Sequence, residues 1–278
     1  MPLFGRSDGA LVRGEAPVRA IVPYLMRGRN ESVVYHEEIV ELTRALPFIA
    51  AWNAKREQKI TVFHLLLAGC GRALWARPGL NRFISGQRAY QRNGVQVSFV
   101  AKKKFEDAAP MVTIKLDLPE GEAFPSLVGR VHGGVRAGRG EAVSTVDKEL
   151  RLAMAVPGFV LGWALALLRW LDRVNLLPAA MIRPDPMFAS MFLANLGSVG
   201  IDRTWHHLYE YGTVSLFGAL GVVGKHLLVG ADGQPVVRDA VSIRWSFDER
   251  INDGFYCASS LKLCKEVLED PERFLGAP

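Results

Sequence analysis

Side chains able to accept or pass a proton gather in two stretches of this chain. One is Asp248-Glu249-Arg250-Ile251-Asn252-Asp253-Gly254, with three carboxylates around a basic residue. The other is Thr204-Trp205-His206-His207-Leu208-Tyr209-Glu210-Tyr211-Gly212. A histidine oriented by a carboxylate acts as a general base near neutral pH. His206 or His207, paired with Glu210 or Glu249, could therefore deprotonate a nucleophile; beside so many aromatic residues the same pair also suits a half-buried wall or a subunit contact. A carboxylate working alone starts near a pKa of about 4.3, so Glu249 would need burial to lift it by about two to three units first. The pattern holds no metal set. Adjacent residues of an extended segment point opposite ways, and no third ligand is spaced to join the two histidines.

Those residues need elements to position them. Val241, Ile243, Trp245 and Phe247 alternate with Ser242, Arg244, Ser246 and Asp248, the period of a strand with one face in the core. Beyond the turn, Phe255, Ala258, Leu261, Val267 and Leu268 recur at helical spacing until Pro271 stops the run. Asp253 stands where an N-cap belongs, a role worth about 1 kcal/mol. The first stretch is thus a polar turn between a strand near 237–248 and a helix near 254–269. Further helices are expected near 37–46 and 62–77, and strands near 95–100, 111–118 and 213–223; Asp232-Gly233 between apolar runs marks a hairpin.

Composition sets the outer bounds. No Pro/Ser-rich linker or charge block divides the 278 residues, which favours one domain. Cys70, Cys257 and Cys264 are an odd number in no metal spacing, and the N-terminus has no apolar run of signal-peptide length; together these suggest reduced thiols in a cytoplasm. Lys and Arg outnumber Asp and Glu by 34 to 28, yet the cations are scattered and no nucleic-acid motif is present. Lys102-Lys103-Lys104 reads as a solvated strand end or as a clamp for the phosphates of a coenzyme A ligand. The Gly/Arg-rich run over 129–140 lacks the ending of a phosphate-binding loop and reads as a mobile loop.

The polar turn resembles the active-site turn of the dihydrolipoamide acyltransferases of 2-oxoacid dehydrogenase complexes, and of their fold relatives the chloramphenicol acetyltransferases. Those families carry His-x-x-x-Asp-Gly; this chain has Glu249 in the place of the histidine. Asn195-Leu196-Gly197 resembles the family's Asn-Leu-Gly turn, and Thr61 to Ala76 followed by Pro78-Gly79-Leu80-Asn81 its long helix and break. Arg27, ahead of Asn30-Glu31-Ser32, and the ending Glu269-Asp270-Pro271-Glu272 are also similar, so the resemblance runs from about residue 20 to 275. It implies an α/β chloramphenicol acetyltransferase-like two-layer sandwich with a mixed sheet. That domain would cover 20–278, with residues 1–19 as an N-terminal extension.

The same resemblance implies a homotrimer with each active site between two subunits, so that Glu249 faces Asn195 of a neighbour. Asn195 and Ser198 become substrate-binding candidates; Glu249, Asp253 and His207 become catalytic ones; and Arg27 is expected to pair with Asp253. Coenzyme A or acyl-CoA is the implied substrate, with no covalently held cofactor. Two departures bear on activity. The family's histidine is replaced by a carboxylate that would oppose the thiolate it should create, and the oxyanion hydroxyl expected just before the Asn-Leu-Gly turn falls on Leu193 and Ala194. Loss of one such donor costs about 3 to 4 kcal/mol, so the inherited thiol-transfer chemistry is expected to be lost or altered. The 278 residues also leave no room for a lipoyl domain, and the ending Gly276-Ala277-Pro278 is a poor hydrophobic knob for cage assembly.

An apolar helical insertion at about 150–186 stands where members of the family have a shorter, polar segment. Leu152 to Leu168 carries no charge, then Arg169 and Arg173 follow. A bilayer span needs about 20 apolar residues, so the segment reads as a helix buried in the trimer, a lid, or an in-plane membrane contact. Two functional classes stand: a coenzyme A-dependent acyltransferase with altered machinery, or a catalytically silent trimeric scaffold, with 152–173 as a surface for a membrane or protein partner.

Overall fold

The computed structural model describes residues 5–102, 111–139 and 154–278. A mixed seven-stranded sheet has the order β2 (Val33–Glu41), β10 (Pro235–Asp248), β8 (Leu216–Leu220), β7 (Met191–Asn195), β5 (Gln96–Lys102), β6 (Met111–Asp117), and β9 (Gly224–Val229) pairs with the outer part of β10. β7 runs parallel to both β5 and β8. β2 and β10 run antiparallel in unbroken register from Val33 opposite Asp248 to Glu41 opposite Ala240.

Side-chain alternation divides two faces. Val241, Ile243, Trp245 and Phe247 of β10, with Met191, Leu193, Leu216 and Leu220, enter the main core. The helices α2 (Ala45–Lys55), α3 (Val62–Ala76) and α7 (Gly254–Glu269) supply its other side. α3 is the central helix, buried from Val62 to Gly71, and Cys70 meets Cys264 of α7 at 3.6 Å as free thiols. Burial raises the Cys264 thiol well above its ordinary pKa and keeps it protonated. Phe192, Phe217 and Ala219 point to the opposite face, where Leu208 and Val214 cover them.

That opposite face is where β10 departs from a half-exposed strand. Ser242, Arg244, Ser246 and Asp248 are buried as well, each with its own partner. Ser242 Oγ donates to Asp202 at 3.0 Å, Arg244 to Glu37 at 2.6 Å, and Ser246 Oγ to the main-chain carbonyl of His206. The segment after the Asn-Leu-Gly turn is thereby fastened across the sheet. On the core face Trp245 Nε1 donates to Glu38 at 3.0 Å, which satisfies a buried carboxylate on β2.

Several expectations need correction. The helix expected near 37–46 is not there: 37–41 are the second half of β2, where β-branched Val33, Val34, Ile39 and Val40 pair along β10, and α2 begins only at Ala45. Residues 129–139 of the Gly/Arg-rich run are not a loop but part of α4 (Phe124–Arg139), and residue 140 lies outside the described residues. Its glycines serve contact: a Cβ on Gly134 would lie 3.2 Å from Ile114, and one on Gly138 2.8 Å from Val112, so their absence lets α4 lie close on β6. Within residues 1–19, β1 (Gly9–Leu11) pairs with β4 (Arg88–Arg92), itself paired to β3 (Arg82–Ser85). Lys103 and Lys104 lie outside the described residues. The expected hairpin at Asp232-Gly233 joins β9 to β10, with Gly233 at φ +78°.

The apolar insertion contains α5 (Gly158–Arg173), followed by a short α6 (Ala179–Ile182). Its C-terminal end is tied down: Asp172 accepts from buried Arg6 at 2.8 Å, and Leu168 and Leu171 pack near Phe188. No residue of α5 is buried, and Phe159 and Trp163 are 71% and 77% exposed. Among the described residues its first ten, Gly158 to Leu167, join none of the core clusters.

Two glycines test the packing in opposite directions. A Cβ on Gly218 would meet the Trp245 ring at 2.5 Å, so Gly218→Ala should destabilise by about 1–3 kcal/mol through overpacking. Gly133 is exposed on α4 with open space around it, and Gly133→Ala should stabilise by about 0.5–1 kcal/mol. Urea denaturation of the two variants checks both signs.

Candidate active site

The polar turn is rigid, but its residues do not combine as the resemblance implies. Asp248 is fully buried and accepts from Arg250 at 2.8 and 2.7 Å and from Ser32 Oγ at 3.0 Å. Arg250 also donates to the carbonyls of Met26 and Arg27, tying the turn to the segment after α1 (Pro17–Leu25). The expected Arg27–Asp253 pair does not form. Asp253 instead caps α7 by accepting from the Tyr256 main chain at 2.7 Å, and Arg27 is exposed and offers its carbonyl to Arg250. The structural pair of this turn is Asp248–Arg250, because a carboxylate buried at the strand end needs a cation at once.

Glu249 lies at the partly exposed tip. Its main chain is held by Ser32, whose carbonyl accepts from Glu249 at 3.0 Å, and by Arg19, which donates to its carbonyl at 2.8 Å. Its carboxylate does not line the cavity that holds Asn195 in the same chain. Tyr256, whose hydroxyl accepts from the Gly79 main chain at 3.1 Å, does not close that cavity either.

The cavity measures about 540 Å³ and lies between the N-terminal end of α3, α4 and the C-terminal parts of the adjacent strands β5 and β7. Asn195, at the end of β7, and Ser198 in the following turn both line it, and Ser198 Oγ donates to the Asn195 carbonyl at 2.7 Å. The turn is tight because Gly197 passes the main chain of Gly221 so closely that any Cβ would collide with it. Leu193 is buried in the core and Ala194 faces the cavity, so neither position presents a hydroxyl.

The two histidines divide sharply. His206 lines the cavity, and its ring lies flat on Phe217 with centroids 3.9 Å apart. His207, the residue expected to act, is exposed and merely stacks on His206 at 4.8 Å. Among the described residues neither pairs with a glutamate. Glu210 accepts from the Asn30 main chain and side chain at 2.9 and 3.2 Å; burial works to raise its pKa, and the main-chain donors Asn30 and Arg29 outweigh it and lower it.

Two further histidines face the cavity without any signal in the local sequence. His64 sits in the first turn of α3 and accepts at Nδ1 from the Thr61 main chain at 3.1 Å, closing a capping box. The acceptor role places its proton on Nε2, which is buried without a partner among the described residues. His132 of α4 stacks on it at 5.4 Å. Burial, with the neighbouring His132, pushes the His64 pKa down to about 4. Among the described residues no group of three His, Cys, Asp or Glu gathers as a metal site.

The His64 shift carries a pH signature. The unfolded chain takes up the proton near the ordinary 6.5 and the folded chain only near 4, so the unfolded state binds more protons in between. Stability should therefore fall as pH drops through that window, by up to about 3 kcal/mol from this group. Urea midpoints at pH 7 and 4.5 should differ less in His64→Gln than in the unaltered protein.

No curated protein sequence matches this chain. Residues 183–276 match the family of 2-oxoacid dehydrogenase acyltransferases, in its catalytic domain. A probable dihydrolipoamide acetyltransferase from Listeria monocytogenes is similar in structure, with a TM-score of 0.62, 13% identity and coverage of 94% of this chain and 95% of that one. A dihydrolipoamide acetyltransferase from Azotobacter vinelandii gives 0.61 at 15% identity, covering 95% and 94%. A chloramphenicol acetyltransferase gives 0.52 at 14%, covering 94% and 98%. The chain has the chloramphenicol acetyltransferase-like fold along nearly its whole length, and residues 183–276 carry the mark of the 2-oxoacid dehydrogenase acyltransferase catalytic domain.

Proposed function

We propose that this protein binds an acyl thioester of the coenzyme A type in the cavity beside Asn195, and that thiol transfer through position 249 is lost or altered. The observation that carries the reading is a cavity of about 540 Å³, lined by Phe63, Phe99, Phe192 and Phe217 with only a few polar groups, next to the Asn195 turn. Such a lining suits an apolar chain with one polar head. Against unchanged chemistry stand Ala194, which has no hydroxyl to offer a tetrahedral oxyanion, and Glu249, whose negative charge opposes a forming thiolate. An oxyanion donor alone is worth about 3 to 4 kcal/mol, or two to three orders of magnitude in rate.

A homotrimer belongs to this reading, with Glu249 of one chain brought to the cavity of its neighbour. The exposed Val18, Ile21 and Leu25 on α1 support it, since they form an apolar stripe at helical spacing directly beside the turn. A second reading, a catalytically silent trimeric scaffold, draws on the exposed apolar α5 as a surface for a membrane or protein partner. Among the described residues no helix is long and apolar enough to cross a membrane.

Titration calorimetry with coenzyme A, acetyl-CoA and decanoyl-CoA at about 0.15 M salt, where diffuse charge attraction is screened, separates the two. Saturable binding with about one site per chain, tighter for the longer acyl chain and weakened by Phe192→Asp, is the expected result. No binding of any of the three overturns the first reading and leaves the scaffold.

A further inference from the structure

We infer that His206 is the general base of the cavity, accepting the proton of a thiol or hydroxyl nucleophile at Nε2 in place of the base missing at position 249. This inference rests on the acyl-thioester reading above. The His206 Nδ1 lies 2.7 Å from the carbonyl oxygen of His207. A carbonyl only accepts, so Nδ1 carries the proton and Nε2 keeps the free lone pair, the tautomer a base requires. Nε2 has no partner among the described residues and is not sealed from its surroundings, unlike the Nε2 of His64.

The ring is also held in place. Phe217 lies against one face and His207 stacks with it as well, Tyr209 stands 5.5 Å away, and Ser246 of β10 grips the main-chain carbonyl. The titratable groups around it are His207 and Tyr209 on its own segment and, among the other described residues lining the cavity, His64 and His132 on α3 and α4; none of those lining residues is Asp, Glu, Lys or Arg. Burial, the largest influence, and the neighbouring His207 lower the His206 pKa from its ordinary value, despite the hydrogen bond to the His207 carbonyl. The imidazole is thus neutral and ready at pH 7.

The step balances without any redox partner. Nε2 takes the proton from X–H as X bonds to the thioester carbonyl carbon. The carbon–sulfur bond then breaks, and the leaving thiolate receives the proton back from Nε2. Acyl thioester and X–H become acyl-X and free thiol.

The test follows the full chain with acetyl-CoA or decanoyl-CoA as donor and dithiothreitol or glycerol as acceptor, with acyl product measured by mass spectrometry. The expected kcat rises with pH through a midpoint below the ordinary histidine value. His206→Asn and His206→Gln, each checked for folding by circular dichroism, should lower kcat by about 10²- to 10⁴-fold and abolish the midpoint, with acyl-CoA binding by calorimetry within about threefold of the original. His226→Asn, on β9, should change neither. An unaltered rate and pH profile in both His206 variants overturns the inference, as does a loss confined to Glu249→Gln, or binding with no transfer to either acceptor. Absence of acyl-CoA binding, by contrast, overturns the reading on which it rests.

Discussion

Everything that positions the candidate site hangs on one strand with two buried faces. β10 sends Trp245 and its apolar neighbours into the helical core, and buries Ser242, Arg244, Ser246 and Asp248 on the other side. A buried polar group left unpaired costs about 1–3 kcal/mol, more if charged, so the polar face can be covered only by a segment that supplies a matching partner at each position. Asp202 and the His206 carbonyl do so for Ser242 and Ser246, while Glu37 of the neighbouring β2 and Arg250 of the turn partner Arg244 and Asp248. The path of residues 196–215 over the sheet is therefore dictated by β10 as much as by its own sequence.

The same arrangement sets Glu249 and the Asn195 turn apart within the single chain. The end of β10 presents Glu249 at a partly exposed tip on one side of the chain, whereas the Asn195 turn and the cavity stand elsewhere in the same chain. The Asp248–Arg250 pair keeps the tip's shape without reference to what occupies position 249. Among the described residues the Glu249 carboxylate makes no hydrogen bond or ion pair, so the shape of the turn does not depend on it.

How much was legible in the sequence follows from the range of each interaction. β10 and α7 could be read residue by residue, since period-two and helical alternation reflect burial directly. β2 could not, because its strand form comes from pairing with β10, some two hundred residues away. α4 was hidden by glycines that weaken a helix locally and earn their place only against Val112 and Ile114. The Arg27–Asp253 pairing failed because sequence shows charges but not which is buried; Asp248 was the one that needed a cation. His206 and His207 are indistinguishable as neighbours in a sequence, and only the stacking on Phe217 tells which ring faces the cavity. His64 and His132 meet across two helices and leave no local trace.

α5 has a consequence for how order is distributed in the molecule. A sixteen-residue helix with no buried residue draws almost nothing from the core, and isolated helices of that length are marginal in water. Only its last turns, near Leu168, Leu171 and Asp172, share in the cooperative unit. The turns from Gly158 to Trp163 should therefore exchange amide hydrogens on a free-energy scale of their own, far below that of α3, whose first ten residues are buried.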